Sequence, residues 1–210
     1  MIRTVIADDH PIVRAGLKQI LSDASDIEVA AEAGDGHELL KLIRKERVDV
    51  VLLDITMPGF MGLDALKQIK VEKPELPILV LSMHPEDQYG IRVLKAGASG
   101  YLMKSTAPDQ LVGAIRKVYR GGRYVSPSLA EKMAFGLQTG ATELPHEALS
   151  DREYQVLCMI ASGKTVKEIA AELALSEKTV STYRARILEK MNMKSNAELT
   201  HYAIKLNLVD

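Results

Sequence analysis

Over its first 120 residues the sequence switches repeatedly between two hydrophobic periods, and few folds accommodate that. Short apolar runs recur as TVIA at 4–7, IEVAAEA at 27–33, VDVVLL at 48–53, PILVLS at 77–82 and SGYLM at 99–103. Each has the length and composition of a β-strand. Between them lie segments with apolar residues three and four apart, such as Val13, Leu17, Ile20 and Leu21 behind Pro11, and Leu111, Ile115 and Val118 behind Pro108. That spacing belongs to helices with one buried face. Five β-α units result, and strands apolar throughout need cover on both faces, so a doubly wound parallel sheet is expected.

The pattern fades at Gly121. GGRYVSPS is turn-rich, SLAEKMAFGL suits a short helix, and QTGATELPHE is small, polar and rich in helix breakers. The last 63 residues then lack strand alternation and carry helical spacing with marked starts. Ser150 with Glu153, Thr165 with Glu168 and Ser195 with Glu198 each set a hydroxyl three residues before a glutamate, the pattern of a capping box. Ser176 is a fourth N-cap candidate, without the glutamate. The expected organisation is an α/β domain over 1–121, a linker over 122–147 with a short helix, and a small all-α four-helix domain over 148–210.

At 210 residues, two domains is the natural count. No run of about 18 apolar residues exists to span a membrane, and MIRTVIADDH has no signal-peptide character, so a cytoplasmic protein is expected. The lone Cys158, in VLCMIA, is expected to pack as a small buried hydrophobe. A net charge of -1 excludes a uniformly basic nucleic-acid binder. It leaves room for a local basic patch.

In an open parallel sheet the ligand site lies beyond the carboxyl ends of the strands. There the apolar runs end in Asp8-Asp9, Asp54, Ser82 and Lys104. Converging carboxylates repel unless a hard divalent cation neutralises them, and Mg²⁺ suits oxygen ligands. Lys104 and the Ser82 hydroxyl would stabilise phosphoryl oxygens, which makes Asp54 the nucleophile. Taken singly, each carboxylate reads more readily as a cap for the helix that follows. The set, spread over four strand ends, favours a site.

These residues, with the stretch Asp54-Ile55-Thr56-Met57-Pro58 continued to Gly62, resemble a response-regulator receiver domain. The resemblance implies Mg²⁺ held by Asp8, Asp9, Asp54 and the main-chain carbonyl of Thr56. It further implies phosphorylation of Asp54 by a sensor histidine kinase, with Ser82, Lys104 and Tyr101 sensing the change. The chain departs from the pattern at Ser105, where many receivers have a proline after a cis peptide bond. A non-proline cis bond costs about 2.5–4 kcal/mol. Met83 replaces the usual small residue beside Ser82, an expected source of crowding. Thr56 and His84 occupy positions that tune phosphoryl lifetime in the family.

Within 165–191 two helical segments flank a tight Ala174-Leu175-Ser176 junction, the pattern of a helix-turn-helix. The second segment turns Lys178, Ser181, Thr182, Ala185, Arg186 and Glu189 away from its apolar side. From Lys178 to Lys194 the net charge is +4, which leaves -5 for the rest of the chain. Lys178, Thr179, Ser181, Thr182, Arg184, Arg186, Lys190 and Lys194 are therefore the candidate DNA contacts, with Arg184, Lys190 and Lys194 expected at phosphates. Such corners also occur in bundles that bind no DNA. Here LSDREYQVL, GKTVKEIAAELALSEKTVSTYRARILEKM and Ser195-Asn196-Ala197-Glu198 resemble the LuxR-type DNA-binding domain, and the whole chain resembles a NarL/FixJ-type response regulator. The resemblance implies phosphorylation-controlled binding to double-stranded DNA, with a homodimer forming on phosphorylation or on DNA. The rival readings are a regulator that binds DNA without phosphorylation and an aspartyl-phosphate phosphatase. The phosphatase is weakened because Asp54 has no second acid two residues on.

Overall fold

The computed structural model describes residues 1–57, 62–83, 86–139, 144–206 and 208–209. Contacts divide the chain into two compact units, Met1–Ala130 and Glu131–Asp210. In the first, strands β1 (Ile2–Ala7), β2 (Ile27–Ala33), β3 (Val50–Asp54), β4 (Ile78–Ser82) and β5 (Gly100–Met103) form one parallel sheet in the order β2-β1-β3-β4-β5. Each strand falls on one of the five apolar runs. β3 and β4 are buried along their whole lengths, as two-sided cover requires, whereas edge strand β2 is only half-buried over its middle.

Helices α1 (Pro11–Ser22), α2 (Gly36–Lys45), α3 (Gly62–Glu72), α4 (Glu86–Lys95) and α5 (Pro108–Tyr119) follow the strands in turn. On one face, Leu21 of α1 and Leu111, Ala114, Ile115 and Val118 of α5 share a core with Ile6, Leu52, Leu79 and Leu81. Proline opens both helices, where its missing N–H leaves no hydrogen bond unmade. Arg116 of α5 ties to Asp26 through two N–H donors, at 2.6 and 2.9 Å. Leu39, Leu40 and Ile43 of α2 and Leu63, Leu66 and Ile69 of α3 are also buried.

The linker differs from the sequence expectation. Its first residues continue the sheet: Tyr124 bridges Gly100 in parallel, with Tyr101 N–H donating to Tyr124 O at 3.1 Å and Tyr124 N–H to Ser99 O at 2.9 Å. Gly100 permits this approach, because a Cβ there would sit 2.5 Å from the Tyr124 carbonyl oxygen. Helix α6 (Pro127–Thr139) starts with Ser126 N–H donating to Glu86, and its Leu129 is buried against Gly90 of α4. The first unit therefore runs past residue 121 to Ala130.

The second unit holds a 3-10 turn at Pro145–Ala148 and helices α7 (Asp151–Ala161), α8 (Val166–Glu172), α9 (Glu177–Lys190) and α10 (Asn196–Lys205). All four predicted N-caps accept a backbone N–H, and the boxes at Ser150 and Thr165 are complete. The third is displaced by one residue, since Glu198 accepts from Lys194 N–H rather than closing onto Ser195 N–H. Helix α7 packs on α9 and α10, and α8 on α9. The α8–α9 corner turns through Ala174, whose φ of 53° lies in the left-handed region. Cys158 is half-buried rather than enclosed. Among the described residues no helix is long and apolar enough to cross a membrane.

Candidate functional site

The ends of β1, β3 and β5 bring Asp8, Asp9, Asp54 and Lys104 together. Asp54 is the last residue of β3 and Asp8 follows β1, and both side chains are almost wholly buried. Lys104 follows β5 and reaches back over the sheet edge. Its ammonium lies 2.6 Å from Asp8 Oδ2 and 2.7 Å from Asp54 Oδ2. Burial works against this charge, but the hydrogen bonds with Asp54 and Asp8 outweigh it and hold the Lys104 pKa above its ordinary value. A main-chain bond from Lys104 N–H to Ser82 O, 2.8 Å, registers the end of β5 against that of β4.

Asp54 is held from the other side by Thr56. The Thr56 N–H donates to Oδ1 at 3.0 Å, and its hydroxyl lies 2.7 and 2.9 Å from the two carboxylate oxygens. Gly62 makes the return of the chain possible, because a Cβ there would fall 2.1 Å from the Asp54 carbonyl oxygen. No side chain other than hydrogen fits between α3 and the end of β3.

Asp9 is half-buried, and its Oδ1 lies 2.8 Å from Nδ1 of His10. Asp8, Asp9, His10 and Asp54 each offer a ligand atom within 4.8 Å of the others. The sequence reading did not single out His10, although its place directly after the acidic pair was the available signal.

Ser82 and Tyr101 are both buried and hydrogen-bonded to each other through their side chains. Burial pushes the Tyr101 phenol up to about 12, against the hydrogen bond with Ser82 and with help from the charges of Glu86 and Asp54. Met83 is 69% exposed and so is not packed over the carboxylate. Among the described residues no peptide bond is cis, so the Lys104–Ser105 bond is trans. His84 and Pro58 lie outside the described residues.

In the second unit, α9 buries Val180 and Ile187 and exposes Lys178, Ser181, Thr182, Ala185, Arg186 and Glu189. This is the outward face expected from the helical spacing. Thr179 is half-buried and shares a hydrogen bond with the Ser176 hydroxyl, and the Thr182 hydroxyl donates to Lys178 O. The basic residues divide. Lys178, Arg186, Lys190 and Lys194 are exposed and Arg184 is half-buried; Arg184 Nε donates to Asn196 of α10 at 2.6 Å, and Lys190 Nζ, on a side chain 41% exposed, to the buried Glu153 of α7 at 2.6 Å. Glu153, noticed in the sequence only as a capping residue, therefore also anchors α9.

Comparison with known proteins agrees with this geometry. Residues 4–116 match the response regulator receiver domain, and residues 147–203 match the bacterial regulatory proteins of the luxR family. The response regulator UvrY of Escherichia coli K12 is 43% identical over 209 residues, which cover 99% of this chain and 96% of UvrY. The chain is a response regulator. Among solved structures, this response regulator resembles RcsB from Salmonella enterica serovar Typhimurium bound to promoter rprA with the phosphomimetic BeF3-. The TM-score is 0.67 with 31% identity, covering 100% of both chains. A second RcsB structure, two dimers bound to two parallel DNAs, gives a TM-score of 0.59 with 29% identity, covering 100% of this chain and 99% of that one.

Proposed function

We propose that Asp54 accepts a phosphoryl group from the phosphohistidine of a sensor kinase, and that this controls DNA binding by the unit carrying α9. The observation behind the reading is the Asp54 carboxylate, buried at the sheet edge, flanked by the Lys104 ammonium and sharing one site with Asp8 and Asp9. An Asp54 oxygen attacks phosphorus as the P–N bond to the donor imidazole breaks, leaving the electron pair on nitrogen and an acyl phosphate on the protein. Lys104 is placed to meet the new phosphoryl oxygens, and Thr56 must turn its hydroxyl away from Asp54 to admit them. The Ser82 hydroxyl, one strand over, is the remaining donor.

The donor set fits Mg²⁺, since Asp8, Asp9 and Asp54 are hard oxygen ligands and the Thr56 carbonyl would be a fourth. Bound there, Mg²⁺ supplies charge neutralisation for the phosphoryl oxygens. Self-phosphorylation and loss of that phosphoryl group are the only reactions proposed. In the second unit, Lys178, Ser181, Thr182 and Arg186 face base edges in the major groove, with Thr179 beside them, and Arg184 and Lys194 face phosphates. The RcsB complexes support both this DNA reading and a homodimer. A cytoplasmic location follows from such a partnership.

Intact-mass measurement after treatment with acetyl phosphate and Mg²⁺ tests the acceptor. One added phosphoryl group is expected in the wild-type chain and none in Asp54→Asn. A phosphorylated Asp54→Asn chain would refute the assignment. Footprinting of the treated and untreated chain on DNA separates control by phosphorylation from binding that ignores it.

A further inference from the structure

Lys190 is the last residue of α9, twelve residues beyond Lys178 and so about 18 Å further along the helix. Recognition helices present their N-terminal residues to the bases, which leaves this end as the one farther from the bases. Its ammonium is already engaged. Nζ lies 2.6 Å from Oε2 of Glu153, whose side chain is 3% exposed, while that same oxygen accepts the Ser150 N–H at 2.8 Å as part of the α7 capping box. Burial raises the Glu153 pKa, and the bonds from Lys190 and Ser150 more than reverse this, so the carboxyl lies below its ordinary value. A charge buried this far is costly to strand, so Lys190 does not leave Glu153 for a solvated phosphate without leaving an uncompensated carboxylate behind.

We infer that Glu153 and Lys190 are a positioning pair that fixes the far end of α9 against α7 and thereby sets the angle at which Lys178, Ser181 and Arg186 meet DNA. The inference rests on the DNA-binding reading. It reassigns Lys190 from the phosphate contact expected of its sequence position. Arg184, held by Asn196 of α10, ties the same helix to a second neighbour. Val180 and Ile187 anchor α9 by burial, which resists lifting but leaves tilt and axial rotation softer than a directed bond does. A shift at Lys190 then moves the exposed face relative to the groove.

The test uses the full chain, a duplex selected from random sequence by the wild type, and an unselected duplex, with salt titrations at a temperature where circular dichroism shows every variant folded. Glu153→Gln keeps an acceptor for the Ser150 N–H and so keeps the cap. Glu153→Gln and Lys190→Met should each lose about tenfold in affinity for the selected duplex and much less for the unselected one. The salt slope should not change, Lys190→Arg should restore selectivity, and the double variant should be no worse than either single one. Suppose instead that Lys190→Met lowers the salt slope by about 0.9 on both duplexes while Glu153→Gln is neutral. Lys190 is then a phosphate contact and the inference is wrong. Unchanged selectivity in all the folded variants would make the pair merely stabilising, which also overturns it. Failure of the wild type to enrich or bind any duplex would sink the DNA-binding reading itself, and the inference with it.

Discussion

At the scale of single residues, the acidic site is held together by one cation. Lys104 is 7% exposed and lies between Asp8 and Asp54, at 2% and 0%, so removing it strands two buried carboxylates. Lys104→Met should therefore lower the stability of the first unit by about 3–5 kcal/mol without metal. It should also raise Mg²⁺ affinity, because the divalent ion then supplies the counter-charge that Lys104 gave Asp8 and Asp54, and saturating Mg²⁺ should restore much of the lost melting temperature. Calorimetry with and without Mg²⁺ checks both. Equal losses in the two conditions would show that the metal does not share the Lys104 site. Glu153 makes a separate prediction about pH. Its carboxyl is held below 4.5 in the folded chain, after the burial penalty is outweighed by Lys190 and Ser150. The folded state thus binds its proton less readily than the unfolded state. The stabilisation is complete above the unfolded pKa and is lost as pH falls through 4.5 toward the depressed value. The difference in melting temperature between wild type and Glu153→Gln should shrink as pH drops from 6 toward 3; a constant difference would mean the pair contributes nothing electrostatic.

Helices and strands were read from the sequence with uneven success, for physical reasons. The five strands were legible because a two-sided sheet demands uninterrupted apolar runs, and Val50–Asp54 and Ile78–Ser82 supply them. The N-caps of the second unit were legible because capping is local chemistry between a hydroxyl and an amide three residues on. Asp54, Asp8 and Lys104 were legible as a set because each ends a strand whose direction is shared. What sequence could not show was pairing over distance. The Glu153–Lys190 bond spans 37 residues, and the attachment of Tyr124 to Gly100 leaves no periodic trace. That attachment is open to test. A Cβ at Gly100 would lie 2.5 Å from a backbone oxygen and 2.9 Å from Leu79 Cδ1, so Gly100→Ala must displace the segment at Tyr124. The Tyr101 and Tyr124 amides should then exchange hydrogen faster while the amides of β1 and β3 keep their protection. Unchanged protection at Tyr101 would show that the segment yields without separating. Ser150→Ala, which removes the α7 cap, should cost about 0.5–2 kcal/mol in chemical denaturation.

For the whole molecule the question is whether the two units act on each other, and thermodynamics constrains the answer without reference to how they are arranged. A single recognition helix reaches only a few base pairs, so adequate specificity calls for two helices on symmetric half-sites, and phosphorylation is expected to act by favouring the state that supplies them. If a phosphoryl group at Asp54 raises DNA affinity by some factor, DNA must raise affinity for that group by the same factor. Phosphoryl transfer is a poor probe of this equality, because its rates need not obey it. Beryllofluoride, the phosphomimetic present in one RcsB complex, is better suited because it binds reversibly. The chain's affinity for a selected duplex should rise with beryllofluoride and Mg²⁺ by about 5–150-fold, the usual range of coupling. Its affinity for beryllofluoride should rise by the same factor when the duplex is present in excess. Light scattering should show the dimer fraction rising in both experiments, and both gains should vanish in Asp54→Asn. Matching factors without any dimer would place the coupling within one chain. A gain of one in both directions would leave a regulator that binds DNA regardless of Asp54, and control by phosphorylation would have to be abandoned.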